Sequence, residues 1–353
     1  MAELPYHEKQ DIENTKRLRT LIRTLPPFCV EFFRGIEPIT SARTRIAYAY
    51  DLRIFFEFLQ TNNPELAKKE MKDFTLDILE QIDIWDLEEY MEYLKCHNTK
   101  YKEDVVNHER GIMRKMASLK SFYNYYFRRE RIHSNPAALM QMPKIREKEI
   151  IRLETDEVAN LLDQVEEGDK LTKKQQDYHK KTKIRDVAML TLMLGTGIRV
   201  SECIGLNIND LDFKNNAMKI HRKGGKEVFL YFSEEVKQAL LDYLEERQKI
   251  EPAPGHEGAL FLSLQKKRMS VRSVENLVKK YARIVTPLKK ITPHKLRSTY
   301  GTNLYRETGD IYLVADVLGH EDVNTTKKHY AALEDSRRRS ARDKVVLRKD
   351  GNK

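Results

Sequence analysis

Thr292-Pro293-His294-Lys295-Leu296-Arg297 opens a stretch that continues through Leu318-Gly319-His320 to Asn324-Thr325-Thr326-Lys327-Lys328-His329-Tyr330, and its reading decides the fold. Threonine can cap helix amides, and proline fits the first turn, where its missing N–H costs nothing, so Thr292-Pro293 predicts a helix start. His294 and Arg297 lie three apart and share one face near the positive end of that helix, a place suited to a phosphate. Leu296, Tyr300 and Leu304 recur on another stripe, which turns toward a core and leaves the His/Arg pair facing a cleft. Gly309 ends this helix. Ile311 to Leu318 makes a short second one, stopped by Gly319, which presents His320 at the turn. Asn324 caps a third, with Tyr330 roughly two turns in.

Taken alone, a His-x-x-Arg pair is usually a solvated helix face. The ordered set H-x-x-R, then L-G-H, then Y, on successive short helices, resembles the catalytic box of the tyrosine recombinase/integrase family. Upstream, Gly195-Thr196-Gly197 breaks an apolar helix, Asp186 to Leu194, and Ile198-Arg199-Val200-Ser201-Glu202 resumes it. The bland reading of the glycine pair is a helix break with a close backbone approach. The resemblance adds that the family sets its first catalytic arginine in a G-x-R-x-x-E context, which falls on Arg199. Glu202 follows one helical turn later, where it can pair with the arginine or orient a catalytic group from behind.

Composition bounds the rest. A chain of 353 residues suits two domains, and a net charge of +10 with a pI near 9.2 implies a polyanionic partner. No apolar run approaches the roughly 20 residues that span a bilayer, so nucleic acid is expected rather than an integral membrane role, although the charge alone would also fit an anionic membrane surface. Cys29, Cys96 and Cys203 are odd in number and lack metal-type spacing, and are expected to be reduced, with neither zinc nor a disulfide framework. No phosphate-cradling glycine loop or acidic cluster for magnesium is present in the sequence.

The expected architecture is mainly α with a small antiparallel β-sheet. Residues 1–36 read as an N-terminal helical extension ending at Pro26-Pro27, residues 37–142 as an all-α unit, 143–152 as a linker, 153–332 as an α+β catalytic domain and 333–353 as a tail. In the all-α unit, Thr40 or Ser41 caps a helix with Ile46, Tyr50, Ile54 and Leu59 inward and Arg43, Arg45 and Arg53 on the wet side. A second helix, from about Val105 to Phe127, carries Met113, Met116, Leu119, Phe122 and Tyr126 on one side and Arg110, Arg114, Lys115 and Lys120 on the other. Any one of these cations is most simply solvated; two basic amphipathic helices together suit backbone phosphates. The region also resembles the family's core-binding domain, with T-x-x-x-Y-x-x-D-L from Thr44 and N-P-A from Asn135.

In the later domain, Thr155 is expected to cap a helix bearing Val158, Leu161 and Leu162, and Gly168 to Lys183 reads as a mobile loop or helix extension. Periodicity then changes: Leu211 to Phe213, Ala217 to His221 and Val228 to Tyr231 predict three antiparallel strands. Lys223 and Lys226 flank the glycine turn between the last two. Turn lysines are usually solvated, but the resembled family carries a catalytic lysine on such a hairpin. The K-G-x-K-E wording favours Lys223, with Lys226 a rival. Glu234 to Arg247 and Ser270 to Val285 are amphipathic helices. The second follows Lys266-Lys267-Arg268 and is the candidate for the major groove, with Arg272 and Asn276 as base readers and Lys279, Lys280 and Arg283 beside them.

The resemblance implies a site-specific DNA recombinase that forms a covalent 3′-phosphotyrosine without cofactor or metal. Arg199 and Arg297 would clamp the phosphate and Tyr330 would attack it. By the same resemblance His294 assists the proton transfer, Lys223 protonates the leaving oxygen and His320 donates to the phosphate. The interval from His320 to Tyr330 is ten residues, one more than in many members, and Tyr300, Tyr305 and Tyr312 are competing nucleophiles placed by their helices in packing. The expected partners are double-stranded DNA with paired half-sites and the chain itself, as a dimer on one site and a tetramer in the synapse. The segment from Leu333 to Lys349 reads either as a frayed basic tail adding phosphate contacts or, as the resemblance implies, as a link between protomers, and a cytoplasmic, nucleoid-associated setting is expected. A type IB topoisomerase and a catalytically silent DNA-binding regulator are the alternatives.

Overall fold

The structure, a computed structural model, describes residues 5–99, 102–145, 151–222, 225–320 and 323. The chain divides into two units, Met1–Lys148 and Glu149–Lys353. The first holds α1 (Tyr6–Ile22), α2 (Cys29–Gly35), α3 (Ala42–Asn62), α4 (Ile78–Gln81), α5 (Ile84–Tyr93), β1 (Cys96–Thr99), β2 (Lys102–Val106), α6 (Glu109–Phe127) and α7 (Pro136–Leu139). Its core is aromatic. Phe122 on α6 meets Phe32 edge-on at 5.0 Å, Tyr126 at 5.2 Å and Phe56 at 6.1 Å, the geometry that ring quadrupoles favour.

Several expectations are corrected here. Residues 1–36 are no mere extension: Leu18, Leu21, Leu25, Cys29, Phe32, Phe33 and Ile36 belong to the same core, and α1 packs on α3. The apolar positions of this segment keep helical spacing among its charges, and the chain reverses at Pro26-Pro27, where the Pro26 carbonyl accepts the Cys29 N–H at 2.9 Å. The unit is not all-α either. Cys96–Thr99 pairs antiparallel with Lys102–Val106, so α6 begins at Glu109 rather than Val105. Val105 and Val106 are β-branched and favour the strand.

On α3, Ser41 caps as expected, accepting the Thr44 N–H at 3.2 Å, and Ile46 and Leu59 are buried. Arg45, expected on the wet side, is buried and ion-paired to Glu37 at 2.8 Å. Tyr50, expected inward, is exposed and accepts a hydrogen bond from Arg17 at 3.0 Å. The buried stripe runs instead through Ala49, Leu52, Phe55 and Phe56, one residue off the Tyr50 row.

The second unit holds α8 (Thr155–Glu167), α9 (Lys173–Thr196), α10 (Val200–Gly205), β3 (Leu211–Asp212), β4 (Ala217–His221), β5 (Glu227–Tyr231), α11 (Glu234–Gln248), α12 (Val271–Val285), α13 (Pro293–Thr308) and α14 (Ile311–Leu318). Helix α9 is the spine. Every residue from Ala188 to Leu194 is buried, as an all-round apolar run requires, and α8, α11 and α13 pack against it. Gly168 to Lys183 proves largely a helix extension: Thr172 and Gln175 cap each other reciprocally, and α9 runs unbroken from there. The buried His179 ring lies 2.8 Å from the Val165 carbonyl and ties this extension to α8. Glu154, not Thr155, occupies the cap of α8. The three strands form one antiparallel sheet in the order β3-β4-β5, with Met218 opposite Leu230 and His221 opposite Glu227.

Candidate active site at the end of a short helix

Helix α14 is one segment on which distant parts of the second unit converge. Asp310 starts it by accepting the Tyr312 and Leu313 N–H groups at 2.8 and 3.0 Å. Gly319 ends it in the left-handed region at φ 59°, which brings its N–H to the Asp316 carbonyl at 2.8 Å and the His320 N–H to the Ala315 carbonyl at 2.9 Å. This pair of bonds closes the helix and fixes the His320 backbone. A helix end still leaves carbonyls without intrahelical partners, and they carry the negative end of the macrodipole. Here three guanidinium groups supply the donors. Arg222 donates to the Asp316 and Val317 carbonyls at 3.3 and 2.8 Å, Arg297 to the Leu318 carbonyl, and Arg199 to the Gly319 carbonyl at 3.0 Å.

Each arginine is set by a local device. Arg199 stands at the cap of α10, where Glu202 accepts both its main-chain N–H at 2.9 Å and its guanidinium at 2.7 Å. Glu202 is itself buried, so the pair satisfies a carboxylate that would be costly alone. Beside it, burial pushes the Cys203 thiol up to about 12. Arg297 is buried and reaches across to the Gly197 carbonyl at 2.6 Å as well as to Leu318. Gly197 is needed on two counts: it ends α9 at φ 64°, and a Cβ there would lie 2.5 Å from the Tyr300 ring and 3.0 Å from Leu318. Arg222 follows β4 and is the residue that sequence reasoning missed. Burial lowers its pKa from the usual arginine value, with neighbouring Arg199 acting the same way, yet an arginine stays charged throughout the physiological range.

The expected site residues fall into three groups. Arg199, Arg297 and the His320 turn are brought together. His294 sits exposed in the first turn of α13, whose cap position holds Thr292 without a side-chain capping bond. Lys223 and Tyr330 lie outside the described residues, as does the segment from Leu333 to Lys349. Lys226 is exposed, and its carbonyl accepts the Arg222 N–H at 2.8 Å. Among the described residues, no group of three or more His, Cys, Asp or Glu side chains is arranged to hold a metal ion, and no helix is long and apolar enough to cross a membrane.

Residues 151–337 match the phage integrase family, which is more than half of the chain. The chain belongs to this family, the tyrosine recombinases. It is 33% identical over 335 residues to Tyrosine recombinase XerC of Caldanaerobacter subterraneus subsp. tengcongensis, covering 91% of this chain and 87% of that protein. It is 29% identical to Tyrosine recombinase XerS of Lactococcus lactis subsp. cremoris, over 90% of this chain and 94% of that one. The fold resembles that of the XerH site-specific recombinase in a post-cleavage complex with palindromic difH substrate, at a TM-score of 0.65 and 18% identity, covering 85% of this chain and 80% of that one. The enzyme is thus a tyrosine-type site-specific recombinase, and these relatives favour neither the topoisomerase-like nor the silent-regulator alternative.

Within this recombinase the competing tyrosines and the expected surface cations sort by environment. Tyr305 is buried, and burial raises the pKa of the half-buried Tyr300 phenol, which makes it a poorer nucleophile. Tyr312 departs from expectation. It is 71% exposed, because Val314, Ala315 and Leu318 form the packed face of α14. Of the four α6 cations, Arg110 is exposed with no bond described to it; Arg114 forks onto Asp51 at 2.5 and 2.6 Å, Lys115 is buried against Asn107 at 2.8 Å, and Lys120 donates to the Met140 carbonyl at 3.0 Å. Arg43, Lys267, Arg272, Asn276, Lys279 and Arg283 are exposed as expected. Arg268 is not a surface cation: it holds the Ile204 and Leu206 carbonyls, both at 2.8 Å. Lys280 leans over the Tyr281 ring at 4.0 Å, with buried Asp186 at 3.7 Å.

Proposed function

We propose that this recombinase cuts double-stranded DNA at paired half-sites by attack of the Tyr330 phenol on a phosphodiester, leaving a covalent 3′-phosphotyrosine that a partner strand then displaces. The observation that supports this is the gathering of Arg199, Arg297 and the His320 turn at the end of α14. A phosphodiester attacked in line needs fixed positive charge at its non-bridging oxygens. A guanidinium carries five N–H donors in a rigid fork, so one that holds a carbonyl retains geometry for a phosphate. The bonds to Gly197, Leu318, Gly319 and Glu202 would fix both forks before DNA arrives, which is preorganisation of the kind that lowers barriers most.

Tyr330 supplies the nucleophile. A phenol with a pKa near 10 is ionised in about one molecule per thousand at neutral pH, and a shift of about three units corresponds to about 4 kcal/mol. Two guanidinium groups and the His294 imidazole are suited to supply it. Lys223 protonates the departing 5′-oxygen and His320 donates to the phosphate. Because the phosphotyrosine keeps the energy of the broken bond, rejoining needs no nucleotide. In this reading the first unit, its N-terminal helices included, acts as the core-binding domain, residues 153–332 carry the chemistry, and α12 enters the major groove. The segment from Leu333 to Lys349 links protomers, two on a site and four in the synapse. Such work on chromosomal DNA sets the protein in the cytoplasm with the nucleoid.

The test is Tyr330→Phe, which removes one oxygen and leaves the phosphate contacts. With a nicked half-site, the wild type gives a slow protein–DNA band on a denaturing gel; Tyr330→Phe binds the same DNA and gives none. Tyr312→Phe, at the exposed rival, keeps the band. A band that persists in Tyr330→Phe and vanishes in Tyr312→Phe would reassign the nucleophile.

A further inference from the structure

We propose that Arg222 is a positioning residue whose side chain latches the β4–β5 hairpin, and with it Lys223, onto the C-terminal end of α14. For its effect on cleavage, the proposal rests on reading Lys223 as the acid.

Three observations carry it. First, Arg222 alone among the three guanidinium groups comes from the hairpin, and it takes two successive carbonyls, Asp316 and Val317. Second, the guanidinium occupies the space a side chain at Gly319 would need: a Cβ built on that glycine would stand 2.2 Å from Nη1, 2.4 Å from Cζ and 2.8 Å from Nε. The glycine of the L-G-H turn therefore does more than allow φ 59°; its missing Cβ leaves room for the Arg222 guanidinium. Third, the Arg222 Nε is buried and has no hydrogen-bond partner among the described residues. Leaving a buried donor unpaired is unfavourable, so the side chain is held there by the two carbonyls and the helix end rather than by the most solvated geometry open to it.

The backbone transmits the latch. The Arg222 N–H donates to the Lys226 carbonyl at 2.8 Å and the Arg222 carbonyl accepts the Gly225 N–H at 3.1 Å, so the residue closes the base of the β4–β5 connection, and Lys223 is its neighbour in sequence. Arg199 and Arg297 hold the other carbonyls of α14 independently, and their bonds do not pass through the hairpin. Loss of Arg222 should thus release the hairpin while the phosphate clamp and the His320 turn persist.

The experiment compares full-length wild type, Arg222→Ala, Arg222→Lys and Lys223→Ala in three measurements. In hydrogen exchange, Arg222→Ala should speed exchange in residues 217–231 and leave α13 unchanged; unchanged hairpin exchange overturns the latch whatever the acid proves to be. In single-turnover cleavage of a nicked half-site, Arg222→Ala should lose on the order of 10- to 100-fold at saturating DNA, the scale on which a displaced catalytic group costs rate, with half-site affinity retained. On the same site with sulfur replacing the bridging 5′-oxygen, a leaving group that needs no acid, most of that loss should disappear, and the loss in Lys223→Ala with it. Arg222→Lys, which keeps the charge and can reach one carbonyl, should fall between, and it carries the comparison if the alanine variant does not fold. An equal loss on both substrates would make Arg222 a phosphate contact and overturn the proposal. Failure of the sulfur substrate to restore Lys223→Ala rejects the acid assignment, while the exchange result still decides the latch.

Discussion

Helices α6 and α12 look alike in sequence, each amphipathic with a basic face, and they use that face in opposite ways. On α6 three of the four cations are tied to the fold, and Arg110 is exposed with no bond described to it. Arg114 meets Asp51, whose side chain is 1% exposed, and Lys115 and Lys120 hold an amide oxygen and a carbonyl. Burial pulls Lys115 below the usual lysine value, and Asp51 acts in the opposite direction. On α12, Arg272, Lys279 and Arg283 project into solvent, and the only contact described for these three is Arg272 with Glu275, one turn away at 3.3 Å. A periodic basic face thus says which side of a helix is not apolar core; whether it meets solvent depends on what the rest of the unit brings against it.

The strongest way to break this comparison is Arg114→Ala. It would leave Asp51 buried without its forked partner, and removing one member of such a pair costs about 3–5 kcal/mol when both are buried. Because Arg114 is itself half-exposed, roughly 2–4 kcal/mol is expected in urea unfolding at neutral pH. The sign of the pH dependence follows from Asp51. Burial already raises its pKa above the ordinary aspartate value, against the opposing pull of Arg114 and Lys115. Losing Arg114 raises it further, so the folded variant takes up a proton that the unfolded chain does not hold. The deficit should therefore be full near neutrality and shrink as pH falls through the raised value. A deficit that grows toward acid would mean that Asp51 is not the group left stranded.

The second substitution works inside α12. Lys280 is the one cation of that helix tied to the second unit's interior, over Tyr281 and near Asp186. Asp186 keeps Arg185 at 2.6 Å and Thr182 at 2.9 Å without it. Lys280→Met, which retains the length of the stem, should therefore cost about 1 kcal/mol, the scale of a partly desolvated cation–π contact. The melting temperature of the variant checks this; an unchanged value would group Lys280 with the surface cations.

What could be read from the chain beforehand was local. Gly309 and Gly319 announce helix ends because only a residue without Cβ takes the left-handed conformation cheaply, and both do so at φ 72° and 59°. The arginines of H-x-x-R and G-x-R-x-x-E and the L-G-H turn do meet at one helix end, while His294 stands exposed in the first turn of α13. The β1–β2 pairing was hidden because no Asn-Gly or Asp-Gly pair stands between the two strands in the sequence. Arg45 and Arg114 could not be placed, since their partners Glu37 and Asp51 are ordinary acids that no spacing marks. Arg222 was least legible of all. Its acceptors are main-chain carbonyls 94 and 95 residues away, groups that every residue has, and only its place before Lys223 hinted at a role.

The smallest effect on stability, and the sharpest on the comparison, belongs to Lys279→Ala and Arg283→Ala. Both side chains are exposed on α12 and contribute nothing to its packed face, which is made by Val274, Leu277, Val278, Tyr281 and Ala282. Each change should therefore stay within about 0.5 kcal/mol in unfolding. If α12 lies in the major groove as proposed, each of these cations neutralises a backbone phosphate. Removing one would lower the slope of log affinity against log salt by about 0.9 and weaken cognate and random DNA alike. Asn276→Ala, one turn earlier and uncharged, should leave that slope alone and relax preference at one base position, since an amide can read a base edge but releases no counterion. Arg114→Ala, assayed where it remains folded, should leave the slope unchanged. If the slope falls for Arg114→Ala and holds for Lys279→Ala and Arg283→Ala, the two helices have been assigned the wrong way round: α6 would face the DNA despite its ion pair, and the exposed face of α12 would be solvent surface.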